Sequence, residues 1–96
     1  MKTTPNLTFQ LKDSDGKPMT AAKFIALCLA NPPPQGFDFA TMRGRNRVAD
    51  AIEKVKAGGE IKLEDADHAV AVEAVRQMKW GTSHKDILKF GELFGL

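Results

Sequence analysis

Arg43-Gly-Arg-Asn-Arg47 places three guanidiniums within five residues. Arginine offers a planar fork of donors that matches phosphate and carboxylate geometry. Arg43, Arg45 and Arg47 are therefore the candidate contacts to a phosphate or to an acidic partner. Neighbouring residues on a helix point in different directions, however, and Asp50 and Glu53 follow closely. The plainer reading is a solvated, ion-paired face, in which Arg47–Asp50 and Asp50–Lys54 pairs are each worth about 0.2–0.5 kcal/mol. Other chemistry-bearing groups are sparse. Asp13-Ser-Asp-Gly16 has the opening of a calcium loop, but the position where that loop needs its last glutamate is Phe24, so the segment reads as a turn. Glu64, Asp65 and Asp67 read as helix-terminal charge rather than as a catalytic acid pair. His68 and His84 lack cysteines or carboxylates at metal-ligand spacing. Cys28, the one cysteine, lies in the apolar run from Phe24 to Leu29. It reads as a small buried hydrophobe, and no pattern signals a Cys–His–Asp nucleophile. No catalytic, metal or cofactor site is predicted, and the chain is read as a non-enzyme.

The remaining candidates are apolar. Trp80 is the sole tryptophan, a residue type enriched at binding hot spots that also closes small cores. Phe90, Leu93, Phe94 and Leu96 crowd the last predicted helix. Four large apolar groups there must dock on this chain or on something else. Ile87, Phe90 and Phe94 share one helical face. Gly91 and Gly95 each weaken the helix by about 0.5–1 kcal/mol relative to alanine, so order should decline toward Leu96. Ile87 and Phe90 are expected in the core, with Phe94 and Leu96 partly accessible. Trp80, Leu93, Phe94 and Leu96 are the candidate partner-binding residues.

These groups must be positioned by a small frame. Ninety-six residues make a single globular domain, 1–96. Hydrophobic residues make up 43% of the chain, enough for an ordered core. The formal net charge is only +2. Residues 1–60 carry nine basic and six acidic side chains, residues 61–96 five and six, well short of the basic stripe of most nucleic-acid binders. The N-terminus has no apolar core of a signal peptide. The uncharged run from Phe24 to Phe37 is broken by Pro32-Pro33-Pro34, so no membrane span is expected and a cytoplasmic location is.

Along the chain, Leu7, Phe9 and Leu11 alternate with polar residues as in a half-buried strand. Asp13 to Gly16 is turn chemistry. Thr20 is positioned to cap a helix over 21–30 that is apolar nearly all round and so belongs mid-fold or in an interface. Asn31 and the three prolines end it and favour a stiff extended linker. A second helix spans about 39–57, with Gly44 able to kink it or delay its start to near Arg45, Val48, Ala49, Ile52 and Val55 as its core stripe and Gly58-Gly59 as its end. Glu60-Ile-Lys-Leu63 alternates as a short strand able to pair with residues 7–11. A third helix runs to Lys79 on Ala71, Val75 and Met78. Ser83 with Asp86 then resembles a capping box for a fourth helix over 84–94. The predicted class is α+β, mainly helical, with four helices and a two-stranded sheet of residues 7–11 and 60–63.

This order of parts resembles small uncharacterised proteins encoded by tailed bacteriophages and prophages. The resemblance is carried by Leu11-Lys-Asp-Ser-Asp-Gly-Lys-Pro18, Arg47 to Lys56, Gly59 to Asp67, and Gly81 to Phe94. The triple proline departs from that pattern. The resemblance implies a phage origin and expression in a bacterial host cytoplasm, and no activity. The expected function is a protein-interaction module, an accessory protein that binds a host or phage protein or forms a homodimer. The alternative is a small DNA- or RNA-binding regulator using Arg43, Arg45 and Arg47.

Overall fold

The computed structural model describes residues 2–12, 16–80 and 84–96. The chain forms β1 (Lys2–Pro5), β2 (Thr8–Lys12), β3 (Pro18–Thr20), α1 (Ala21–Ala30), α2 (Phe39–Glu53), β4 (Glu60–Leu63), α3 (Asp65–Gln77) and α4 (Lys85–Glu92). It is α+β and mainly helical, with four helices among the described residues. The turn expected at Asp13–Asp15 and the break and cap expected at Gly81–Ser83 lie outside the described residues.

The strand pairing differs from expectation. Residues 60–63 pair antiparallel with β1, Thr4 opposite Ile61 and Thr3 opposite Lys62, and not with residues 7–11. β2 instead pairs with β3 as a separate antiparallel ribbon. Two physical reasons favour this arrangement. A β2–β3 hairpin closes a short loop at low chain-entropy cost, so β2 pairs locally and the long closure across α1 and α2 falls to β1. β1 also offers its own alternation, with Thr4 buried to meet the buried Ile61 and Leu63. Pro18 begins β3, where a missing N–H is tolerated, and the register shifts between Phe9 and Lys12.

The helices start where local chemistry lets them. The Thr20 hydroxyl accepts from Lys23 N–H and opens α1. α2 begins at Phe39, as expected, and is not delayed to Arg45 by Gly44, because the Asp38 carboxylate accepts from Thr41 N–H at 2.7 Å. That hydrogen bond holds Asp38 below the usual carboxylate range. The proline segment is not a free spacer: Pro33 is buried, and Gly36 N–H closes a turn on Pro33 C=O. α4 is capped by His84, whose Nδ1 accepts from Asp86 N–H at 3.0 Å.

α1 is the central element and contacts α2, α3 and β3. Its buried face is Ala21, Ala22, Phe24, Ile25, Cys28 and Leu29. It is not enclosed on every side, since Ala26 and Ala30 are exposed and Leu27 is 45% exposed. Phe24, Phe9, Trp80, Phe90 and Phe94 make one ring cluster with centroid separations of 5.0–6.3 Å. Asn6, 1% exposed, is the hub between the ends of the helices. Its Nδ2 donates to Val55 and Lys56 C=O at the end of α2, and its Oδ1 accepts from Ala22 N–H at the start of α1. Its backbone also exchanges hydrogen bonds with Gly58 and Gly59. A Cβ at Gly59 would lie 3.0 Å from Lys56 C=O, a tight approach that a side chain there would have to relieve by shifting the backbone by a few tenths of an ångström.

Candidate protein-binding surface

The arginine cluster separates on folding. Successive positions on α2 face different ways, and Arg45 falls on the buried side with Val48 and Ile52. Its guanidinium reaches the C-terminal end of α1. Nη1 donates to Asn31 C=O at 2.7 Å and Leu29 C=O at 3.2 Å, with Cys28 C=O at 3.4 Å. Nη2 donates to Gln77 Oε1 at 3.0 Å, and the Phe37 ring lies 5.5 Å away. Gln77 passes the contact on to Glu73, which also accepts from Arg76. The last carbonyls of a helix lack intrahelical donors and carry its negative dipole end, so a buried cation there is held without a direct carboxylate. Arg47 turns to Asp67 at the start of α3, at 2.7 Å, instead of to Asp50. Arg43 stays exposed. A phosphate approaching the open side of α2 meets Arg43 without Arg45.

This division predicts unequal effects on stability. Arg45→Ala should cost about 2–3 kcal/mol, because it strips the α1 carbonyls of their donors in a partly water-accessible place. Arg43→Ala should stay within about 0.5 kcal/mol of wild type. Urea unfolding of both variants checks this, and equal effects would contradict it.

Cys28 is fully buried behind the same helix end. Burial pushes its thiol up to about 12, against a smaller opposite pull from the Arg45 charge. A native thiol that keeps its proton while the unfolded one ionises makes stability fall as pH rises above the ordinary thiol value, by up to about 1.4 kcal/mol per pH unit. The loss ends as pH passes the native value near 12. Alkylation of the native protein at mildly alkaline pH should therefore proceed only as fast as the chain opens. Rapid labelling of the folded protein would contradict this.

The apolar candidates at the C-terminus also divide. Trp80 is half-buried, its ring edge-on to Phe24 and Phe90. Leu93 is half-buried against the core. Leu96 is 46% exposed, as expected. Phe94, expected to be accessible, is buried at 9% exposure, stacked near Phe90 and His68. The reason lies in the two glycines. After α4 the chain turns back on itself, with Phe94 N–H and Leu96 N–H both donating to Gly91 C=O. Gly95 supplies the positive φ of +75° that this turn needs. What reads as a weak, fraying end is a folded cap that seats Phe94. Ile87, expected in the core, is only half-buried.

The accessible apolar surface lies beside that cap. Leu88, which the helical stripe of Ile87, Phe90 and Phe94 leaves out, is 67% exposed. Its signal in the sequence is an apolar residue off the stripe. With Val75, Trp80, Ile87, Gly91 and Leu96 it lines a mainly apolar groove of about 260 Å³ between α3 and α4, with Arg76 at the rim. Asp86, expected to reach back in a capping box, is buried, and its Oδ2 accepts from Gln10 N–H at 2.9 Å, tying α4 to β2. Trp80 and Phe90 of the ring cluster line the groove, and the Asp86 tie holds α4 against β2. No helix among the described residues is long and apolar enough to cross a membrane. Comparison with protein-family models, with curated proteins and with solved structures finds no match to this chain.

Proposed function

We propose that this chain is a non-enzymatic protein-interaction module, a phage or prophage accessory protein of the bacterial host cytoplasm, that holds a partner protein in the groove between α3 and α4. The observation that carries the reading is the pair of open leucines, Leu88 and Leu96, flanking the half-buried Trp80 along an apolar groove. Removing such surface from water is worth roughly 25 cal/mol per Å². The occupant suited to it is a protein segment presenting one or two large apolar side chains. Further support comes from where the polar chemistry is spent. Asn6, Arg45 and Asp86, the three most buried groups with hydrogen-bonding or charged side chains besides Thr4, each hold two elements together.

The test compares proteins retained from host lysate by the wild-type chain and by Leu88→Glu and Leu96→Glu variants of unchanged thermal stability. The expected result is a protein retained by wild type and lost from both variants, with a photo-cross-linker at position 88 reporting the same protein. Identical retained sets, or no retained protein, would refute the reading.

A further inference from the structure

The outward face of α2 carries an unusual order of groups. Phe39, Arg43, Asn46, Asp50 and Glu53 recur at helical spacing along one line, all exposed, opposite the buried Arg45, Val48 and Ile52. Phe39 is 76% exposed, more than any other large hydrophobic among the described residues, and Met42 beside it is 38% exposed. Neither Arg43 nor Asp50 forms an ion pair within the described residues. Along this face Arg43 lies N-terminal to Asp50 and Glu53, the reverse of the order a helix dipole favours, while Asp38 and Lys54 at the two caps complement that dipole. Alongside the C-terminal half of α2 runs a groove of about 430 Å³ toward α1, floored by Ala22, Ala26, Ala49 and Ile52, with Asp50 and Glu53 at its edge.

We propose that α2 is the contact helix of a two-fold homodimer, in which Phe39 of each copy enters the α1–α2 groove of the other and Arg43 pairs with Asp50 across the axis. An isologous contact needs a surface complementary to itself under a two-fold rotation, and α2 has one centred near Asn46. Phe39 and Glu53 lie seven residues to either side of Asn46, about 10 Å each way at the helical rise. Arg43 and Asp50 lie three and four residues to either side. Antiparallel apposition of two α2 helices therefore puts aromatic ring against groove and cation against anion twice over, and it opposes the two helix dipoles favourably. Within one helix Arg43 and Asp50 are about two turns apart and form no pair, whereas between two antiparallel copies each meets its opposite. This surface is separate from the α3–α4 groove, so a dimer would present two such grooves to a bivalent partner and bind it with avidity.

Sedimentation equilibrium of the full chain from about 1 µM to about 1 mM, the span of weak to moderate affinities, tests this. A reversible monomer–dimer equilibrium is expected. Phe39→Ala should raise its dissociation constant about tenfold or more. Arg43→Glu and Asp50→Arg should each weaken it similarly by placing like charges together, and the double variant Arg43→Glu/Asp50→Arg should restore it. Circular dichroism of each variant should be unchanged, since all three positions are exposed. Leu88→Glu should leave self-association intact, which separates this contact from the partner groove. A wild type that stays monomeric throughout would overturn the proposal. So would a dimer indifferent to the α2 changes, a double variant no better than the single ones, or a dimer broken by Leu88→Glu alone.

Discussion

Asn6→Ala is expected to lower the unfolding free energy by about 3–5 kcal/mol, the combined effect of orphaning buried partners at up to about 1–3 kcal/mol each and of a small cavity. Ala22 N–H, in the first turn of α1, would lose its acceptor at 2.8 Å, and Lys56 C=O, just past α2, its donor at 2.9 Å. Asn6 is 1% exposed and its bond with Ala22 N–H is buried, so water does not replace that acceptor without opening the core, while the carbonyls of Val55 and Lys56 are only partly buried. Asn6→Asp should be as damaging at neutral pH for a different reason. It keeps an acceptor for Ala22 but turns a carboxylate oxygen toward two carbonyls. That carboxylate is disfavoured in the native state, so its native pKa lies above the unfolded value of about 3.9. The native form then binds the extra proton more tightly, and the variant's deficit should shrink as pH falls toward that value, because a protonated carboxyl can donate to Lys56. Urea titrations of wild type and both variants at neutral and acidic pH measure this. A loss below about 1 kcal/mol for Asn6→Ala would mean that the three segments do not depend on this clasp.

Phe90→Ala should cost about 3–5 kcal/mol, the range for removing a fully buried phenylalanine. Phe90 is 0% exposed and its ring meets those of Phe9, Phe24, Trp80 and Phe94, which come from β2, α1 and the segments after α3 and α4. No other ring touches all of them. For a domain of this size such a loss lowers the melting temperature by on the order of 20 °C and removes much of a total stability of about 5–10 kcal/mol. Phe90→Leu, which keeps most of the volume, should cost less than about 1.5 kcal/mol. Phe94→Ala should fall between these two, since Phe94 is seated by the terminal turn and retains a little exposure. Thermal and urea unfolding rank the three. A Phe94→Ala protein as stable as wild type would mean that the terminal cap is open in solution, and the accessible apolar surface would then extend from Leu88 and Leu96 to Phe94.

Much of the fold was legible because its determinants are local. Thr20 followed by an apolar run specifies α1, and Asn31-Pro32 ends it at the expected residue, since proline bars its predecessor from helical backbone. The carboxylates of Asp65 and Asp67 open α3, where the dipole favours them, whereas α2 stops at Glu53, four residues short of the expected 57, and Gly58-Gly59 lie in the turn that leads to β4 rather than at the helix end. Helical spacing also put Phe90 inside. In each case the information lies within a few residues, where helical period and capping act.

Only the tertiary structure decided the rest, because those questions concern which surfaces meet. Residues 60–63 read as a strand from their alternation, but alternation does not name a partner, and the β2–β3 hairpin took the strand they were expected to join. Arg45 looks the same in the sequence as Arg43 and Arg47. It becomes a buried support because α2 packs where the end of α1 presents bare carbonyls. In the sequence Asn6 is one polar residue after a proline, yet it joins segments sixteen and fifty residues away. Gly95 reads as a helix weakener, and it is the positive φ it permits that folds Phe94 onto Phe90 and leaves Leu88 and Leu96 as the open apolar pair. Composition and period determine what each segment is. The free energy of satisfying buried polar groups and filling space between distant segments determines what each side chain is for.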